Sequence, residues 1–331
     1  MEAQEQNPLD VSKTEIHIPV CWSKNHVHLQ SLVVKSHSMW RRPIFCRTIL
    51  VVAFAFCVIT ARSQERDNPK FSSQAESKAK NLKQQIQAEI GQFKAHEWAG
   101  EYREGDGLGV NISLIIAPKS GCLFEWHGCV GLYDRNYGAV TNVNGTLRLS
   151  FTFENHRKGF QGIAEEFTLV KWGKRSYLIP SDDVIGFCNA VNSASEPREA
   201  QLGRYLLRQG DEKIKAAGKP TVPAEYRAYL LKSPVNAEIV KVGPPTTRPS
   251  VSDWKFKDTP VTLNVGKNSG LLPGMELDVI HPDFVVESVK IKSVRENDAE
   301  GIMTQIGEES VGPKVGWKLS TLPRWREKAS R

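Results

Sequence analysis

Four side chains in this sequence have the chemistry needed for acid–base catalysis: Glu125, His127, Glu165 and Asp182. Glu125 and His127 stand two residues apart, so in a β-strand they would share one face and could share a proton or bind a metal ion. Ordinary surface placement is the alternative, and Asp182 beside Asp183 is also typical of residues that cap a turn. A hydrolase is therefore one hypothesis, and it requires two of these groups to meet in a cleft.

A dense set of aromatic residues between positions 98 and 177 offers a second kind of site. In a small β-barrel such residues usually fill the interior and leave no room for a ligand. The other interpretation is a concave apolar pocket for a small ligand or an acyl chain. We expect Trp126, Trp172 and Tyr177 to line such a pocket, because each carries a polar atom that can orient a ligand.

The N-terminal part has the features of an export signal. The run 49–60, ILVVAFAFCVIT, follows three arginines and precedes the small residues Ala61 and Ser63. A basic segment, about a dozen apolar residues and a small-residue cleavage site together make a secretory signal. We expect 39–63 to be a cleaved signal peptide, with an uncleaved membrane anchor as the alternative. The protein is accordingly predicted to be periplasmic or secreted.

Composition limits the partners of the remaining chain. The polar stretch 1–38 has neither a helical nor a strand period, and we expect it to be disordered; translation that begins at Met39 would omit it. Without residues 1–63 the chain loses seven Lys or Arg and four Asp or Glu, so the net charge falls from +7 to +4. Because this excess is mild and its densest part is the basic tail 323–331, no nucleic-acid partner is predicted. Membrane contact is expected only through 49–60.

Three cysteines remain after the signal segment: Cys122, Cys129 and Cys188. An oxidising compartment permits one disulfide and leaves one thiol. If 122–133 forms one strand, Cys122 and Cys129 point to opposite faces and lie about 20 Å apart, which is too far to bond. We therefore favour a Cys129–Cys188 disulfide, with three buried and unpaired thiols as the alternative.

Metal and cofactor sites are not predicted. The histidines that follow the signal segment never reach H-x-x-x-H spacing, and no paired cysteines accompany them. The loop 105–109, GDGLG, resembles a phosphate-binding loop. Phosphate binding also needs a helix N-terminus after the loop, and here a strand pattern follows.

The elements that must position these residues begin with a helix. Apolar residues recur at steps of three and four between 70 and 95, which predicts an amphipathic helix that covers the mouth of the next domain or serves as a stalk. From 98 to 190 the period becomes two, and Asn144-Gly145 predicts a tight type I′ hairpin. Seven or eight short strands of this kind form an antiparallel meander that closes as a barrel or folds as a sandwich.

The C-terminal half is predicted to contain a second β unit. We expect 191–242 to be a mixed extension, and the proline-rich stretch 243–250 to be an interdomain linker. Alternating apolar residues separated by glycine-containing turns then predict a small barrel over 251–322.

Two resemblances to known families accompany these patterns. Trp98-x-Gly100-x-Tyr102, at the start of the meander, resembles the first strand of lipocalin-like up-and-down barrels. The glycine-containing frames 264–275 and 313–316 are similar to the small SH3-like barrels at the ends of bacterial envelope and flagellar-assembly proteins. The second resemblance implies a docking module without chemistry of its own.

The sequence predicts a mainly β protein with one helix, an antiparallel meander barrel or sandwich, and a small C-terminal SH3-like β-barrel. We expect an exported, non-enzymatic protein that binds a small apolar ligand or a partner, and that contacts an envelope protein through 251–322. An exported hydrolase acting on cell-envelope material is the alternative. A purely structural spacer gains support if the barrel interior is packed solid.

Overall fold

The computed structural model describes residues 68–93, 95–105, 110–128, 131–156, 162–194, 203–249, 255–280, 287–306 and 311–322. The predictions for 1–38, 39–63 and 323–331 lie outside the described residues. Across the ranges that are described, no helix is both long and apolar enough to cross a membrane.

Eight antiparallel strands form a closed barrel, in which each strand pairs with the next and β8 pairs with β1. The strands are β1 (Gly100–Gly105), β2 (Val110–Ala117), β3 (Gly121–Gly128), β4 (Gly131–Val143), β5 (Thr146–Phe151), β6 (Glu166–Trp172), β7 (Arg175–Pro180) and β8 (Gly203–Arg208). The prediction of an antiparallel meander is confirmed, and of its two forms the chain adopts the barrel. The predicted end at 190 falls short, because β8 is needed to cover the open edges of β1 and β7.

Residue alternation determines what enters the barrel. Leu114, Phe124 and Leu178 belong to the interior core, whereas Ile115 and Leu123 lie on the outer face. This is the separation that period-two patterning predicts.

Two turns decide the register on either side of β4. The predicted hairpin at Asn144 and Gly145 is confirmed, and both residues have positive φ angles, 53° and 86°. The condition that 122–133 forms one strand, on which the spacing of Cys122 and Cys129 was argued, is not met, because β3 ends at Gly128 and β4 begins at Gly131. The two strands pair antiparallel, so the chain reverses direction between them.

The main helix, α1 (Ser73–Gly91), follows a short 3-10 turn (Pro69–Phe71). Ser72 caps its N-terminus, with Oγ accepting a hydrogen bond from the backbone N–H of Ala75. The apolar face of α1 is buried against the outer residues of β2, β3 and β4. The helix therefore lies along the barrel wall, a position different from both predicted ones, because the outward residues of those strands are themselves apolar.

A second helix, α2 (Val184–Asn192), begins within the range 98–190 that was predicted to be strands and ends just after it. With the segment 209–231 it covers the outer face of β6, β7 and β8, where a second core forms around Phe187. Within that segment the chain forms a 3-10 turn (Ala224–Tyr229).

The C-terminal part forms a second closed barrel. It contains β9 (Asn236–Val242), β10 (Thr246–Pro249), β11 (Lys255–Leu263), β12 (Glu276–Val279), β13 (Ser288–Val294), β14 (Ala299–Ile306) and β15 (Lys318–Ser320), with a 3-10 turn (Lys267–Ser269) after β11. Six of these strands make a ring in the order β9, β11, β14, β13, β12, β15, and β15 pairs with β9 to close it. β10 pairs with β11 outside this ring.

The predicted boundary between the two β units therefore moves toward the N-terminus. The stretch 243–250 was predicted to be a linker, but the structure places β9 before it in the second barrel and β10 within it. Its prolines are compatible with this position, because an edge strand can leave backbone groups without a ladder partner.

Side chains of α2 join the two barrels. Asn189 donates from Nδ2 to the carbonyl oxygen of Gly274 at 3.0 Å and accepts from the backbone N–H of Glu276 at 3.3 Å. Tyr229 packs against the apolar cores on both sides. The described contact thus combines hydrogen bonds with apolar packing.

Candidate functional site

The interior of the first barrel is almost filled by side chains. Trp126 is buried there, and together with Phe124 and Ile163 it lines a cavity of about 50 Å³. Ligand pockets usually have roughly 300–1,000 Å³. The cavity is therefore too small for a ligand with an acyl chain.

The other two predicted ligand residues lie on the opposite side of the barrel wall. Trp172 donates from Nε1 to the carbonyl oxygen of Gly218 at 2.8 Å, and Tyr177 Oη accepts from Arg175 Nη1 at 3.0 Å. Both rings pack in the outer core beneath α2. The structure therefore does not bring Trp126, Trp172 and Tyr177 into one site, because strand alternation turns the last two outward.

The four acid–base candidates are also dispersed. Glu125 accepts hydrogen bonds from Lys83 at 3.3 Å and Arg135 at 3.2 Å, which fasten α1 to β3 and β4. Glu165 accepts from Asn155 Nδ2 at 3.2 Å. His127 and Asp182 are exposed. These four described side chains form no hydrogen bond with one another.

Two of the three cysteines are buried. Cys122 points into the barrel core and Cys188 lies in α2, and both are free thiols. Burial raises the pKa of each thiol to about 12, which suppresses the reactive thiolate form. The structure therefore does not show the predicted Cys129–Cys188 disulfide, and for Cys122 and Cys188 it agrees with the alternative of buried, unpaired thiols. Cys129 itself lies outside the described residues.

A groove of about 530 Å³ lies between the C-terminal end of α1 and strands β1 and β8. We call it the helix–strand groove. Its apolar lining comes from α1, the connection that follows α1, and β2: Ile90, Phe93, Ala95 and Ile115. The imidazole of His96 and the guanidinium of Arg208 also line it. Its volume falls within the roughly 300–1,000 Å³ range of small-molecule sites.

Glu89 fixes the helix side of this groove. Its two carboxylate oxygens accept backbone hydrogen bonds from Lys119 at 3.0 Å and Ser120 at 2.8 Å, in the turn between β2 and β3. Burial acts to raise the pKa of Glu89, but hydrogen bonds from Ser120 and Lys119 outweigh it and hold the pKa below its ordinary value. The ionised carboxylate therefore holds the end of α1 on the barrel.

His96 shapes the connection that leads from α1 into β1. Its Nδ1 accepts hydrogen bonds from the backbone N–H groups of Trp98 at 3.3 Å and Ala99 at 3.0 Å. The imidazole is therefore in the form that has a lone pair on Nδ1. Its ring also packs against Phe93, with centroids 4.8 Å apart, which connects the helix end to the start of the barrel.

Arg208, at the end of β8, is the basic group of the groove. Its Nη2 donates to the carbonyl oxygens of His96, at 2.9 Å, and of Ala99. The guanidinium also lies 5.8 Å from the ring centroid of Tyr102. A Cβ on Gly100 would come within 2.8 Å of Arg208 Nε, so glycine is what allows this close approach.

A polar cluster lies close to Arg208. Lys171 Nζ donates to Ser176 Oγ at 2.9 Å, and the backbone N–H of Ser176 donates to Asp211 Oδ2 at 2.8 Å. Burial and the charge of Arg208 lower the pKa of Lys171, while burial raises the pKa of Asp211. A serine beside a lysine can act as a nucleophile, but Ser176 is only 2% exposed, so a substrate does not reach it.

The sequence patterns did not identify this groove. Its walls come from α1, β1, β2 and β8, and Arg208 lies more than 100 residues after Ala99. One usable signal was the run 203–208, GRYLLR, in which an apolar core segment ends in arginine, as at the end of a buried strand.

No cluster of three or more metal-binding side chains occurs among the described residues. No family model matches this chain, and neither the comparison with curated proteins nor that with solved structures found a significant match.

Proposed function

We propose that this is an exported, non-enzymatic binding protein whose first barrel holds a ligand in the helix–strand groove. The observation that carries the proposal is the contrast between this open groove of about 530 Å³ and the interior cavity of about 50 Å³. The first barrel has room for a guest beside its wall, and the nearly filled interior gives that wall a rigid support.

The positions of the acid–base groups also favour binding over hydrolysis. Glu125 is engaged with Lys83 and Arg135, and Glu165 with Asn155. A general acid and base must converge on one reacting group. The four residues named for the hydrolase alternative therefore supply no acid–base pair. Export, which both hypotheses assume, is argued from the apolar segment 49–60.

For the second barrel we propose docking to another envelope protein. The six-stranded ring has its own apolar core, and its glycine frames are similar to SH3-like modules. The first barrel likewise has the up-and-down topology that its resemblance to lipocalin-like proteins implies, although its open space lies beside the wall and not inside. In this proposal the first barrel binds a small molecule and the second barrel binds another protein.

Native mass spectrometry of the purified, exported protein tests the groove. We expect a retained small molecule that leaves on unfolding. Ala95→Trp places an indole in the groove and should lower the retained fraction, whereas Ala88→Trp, at an exposed position on α1 outside the groove, should not. Equal retention by both variants, or a protein that never carries a guest, would contradict the proposal. The same spectrum reports the mature N-terminus and so tests export.

Photo-crosslinking tests the docking role. A photoreactive residue at Val240, which is 47% exposed on β9, should capture a discrete envelope protein in intact cells. A probe at Ala88 on α1 is the control. Identical crosslinked products from both positions would show that the second barrel does not provide a specific surface.

A further inference from the structure

We infer that the guest of the helix–strand groove is an amphiphile with one carboxylate headgroup, held by Arg208, and an alkyl chain that lies against Ile90 and Phe93. This inference deepens the proposed function and rests on it. It follows from one basic group and an apolar wall that line the same groove.

The charge distribution points to an anion. Arg208 is fixed by the carbonyl oxygens of His96 and Ala99, and no described carboxylate forms a salt bridge with it. The acidic side chain that lines the groove, Glu101, is already bonded by Arg103 at 2.7 Å. A planar guanidinium with unoccupied N–H groups matches the geometry of a carboxylate.

The surroundings of Arg208 do not cancel its charge. Asp211 interacts electrostatically with Arg208, but its carboxylate also interacts with Lys171 and accepts a hydrogen bond from the backbone N–H of Ser176. The positive field of Arg208 still reaches Lys171 and lowers its pKa. An anionic headgroup would therefore find a net attractive group at the groove.

The walls determine the rest of the ligand. Ile90 and Phe93 are half-buried, which leaves part of each apolar side chain open to solvent. Burying such a surface against an alkyl chain removes apolar area from water and therefore stabilises the complex. The groove volume of about 530 Å³ accommodates a chain of moderate length.

A peptide is less well matched. Peptides that bind beside a sheet use an unpaired strand edge for main-chain hydrogen bonds. β1 is paired with β2 on one side and with β8 on the other, so it offers no such edge. Arg208 supplies one positive charge, which balances the single charge of a carboxylate but not the charge of about −1.5 to −2 on a phosphate monoester at pH 7.

Calorimetric titration of the purified protein with decanoate, decan-1-ol and decyl phosphate tests this assignment. We expect decanoate to bind most tightly. Gln87→Glu adds a negative charge to the groove and should weaken decanoate about twofold to fivefold, the effect of one exposed charge pair, while decan-1-ol is unaffected. Gln84→Glu makes the same change at an exposed position of α1 outside the groove and should alter neither.

The outcomes separate this inference from the proposed function. Equal affinity for decanoate and decan-1-ol, both abolished by Ala95→Trp, would overturn the carboxylate assignment but leave groove binding intact. Tighter binding of decyl phosphate, or equal effects of Gln87→Glu and Gln84→Glu, would also overturn it. If none of the three probes binds, while native mass spectrometry still shows a guest that Ala95→Trp displaces, the ligand class is wrong and the groove remains the site.

Discussion

Lys70 Nζ lies 3.0 Å from Asp134 Oδ1, and the two side chains are 5% and 0% exposed. This buried ion pair connects the turn that precedes α1 to strand β4 of the first barrel. Asp134 Oδ1 also accepts the backbone N–H of Arg135 at 2.9 Å. The start of the described chain is therefore held to the barrel by a charge that has almost no contact with water.

Asp134→Ala should destabilise the protein by about 3–5 kcal/mol, because it leaves the ammonium group of Lys70 buried without a partner. Urea denaturation measures the loss. Lys83→Ala removes the more exposed pair with Glu125 and should cost about 1 kcal/mol at most. Adding Lys70→Met to Asp134→Ala should restore part of the stability. A cost for Asp134→Ala no greater than that of Lys83→Ala would show that the buried pair is not what holds this turn.

Glu89→Gln should lower stability at pH 7 by about 1 kcal/mol, because the amide cannot accept both backbone hydrogen bonds. The pKa of Glu89 is lowered in the folded protein, so its contribution is present above the unfolded pKa of about 4.3 and is lost as the pH falls through the folded value. The difference between wild type and Glu89→Gln should accordingly shrink on acidification. Urea denaturation at pH 7 and below pH 4 checks this.

The exposed Glu76→Gln, near the start of the same helix, is the control for that titration. It should lower stability by less than about 1 kcal/mol, the usual limit for a charge near a helix end. If the difference in free energy of unfolding between wild type and Glu89→Gln stayed constant from pH 7 to pH 3, the carboxylate would not be the group that holds α1 on the turn between β2 and β3.

Cys122 and Cys188 should resist alkylation in the folded protein, since burial raises the pKa of both thiols to about 12. Iodoacetamide labelling at pH 8, read by peptide mass spectrometry, should modify both only after denaturation. Rapid labelling of either thiol in the native state would contradict their burial. A Cys188 that reacts only after denaturation with reductant would instead support the predicted disulfide with Cys129.

The local parts of the fold could be predicted from the sequence. The alternation that places Leu114 inside and Ile115 outside is a property of neighbouring residues, and so is the positive φ that Asn144 and Gly145 supply. The long-range parts could not. β9 joins the second barrel by pairing with β11 and β15, the latter about 80 residues away, and no feature within 236–242 selects that partner.

The site shows the same division. Trp126, Trp172 and Tyr177 were predicted to line one pocket because of their side-chain chemistry. The alternation of residues along a strand instead places Trp126 inside the barrel and the other two outside. Which side a residue takes depends on where its strand begins, and the sequence did not give that position. α2 was missed because it begins with the five residues VIGFC, none of which has a charged or amide side chain, a pattern that a short buried strand shares. The groove depends on where α1 lies against the barrel, which no single segment specifies.

The contact between the barrels gives a last prediction. Gly274 has a φ angle of +89° and accepts Asn189 Nδ2 at its carbonyl oxygen. Gly274→Ala should cost about 1–2 kcal/mol, because a residue with a Cβ is strained in the left-handed region. The nearest side-chain atom to the new Cβ, on Ile185, would be 3.3 Å away, a tight contact that requires Ile185 to shift by a few tenths of an ångström in addition to this backbone cost.

Gly312→Ala is the matched control for this junction, because a Cβ there would meet no atom within 4 Å and the residue does not require a positive φ. We expect it to leave the urea midpoint unchanged. Hydrogen exchange should also quicken at Glu276 in the Gly274→Ala variant, since its backbone N–H donates to the same Asn189. Equal midpoints for the two variants, with unchanged exchange at Glu276, would mean that the left-handed backbone of Gly274 does not contribute measurably to the junction between α2 and the second barrel.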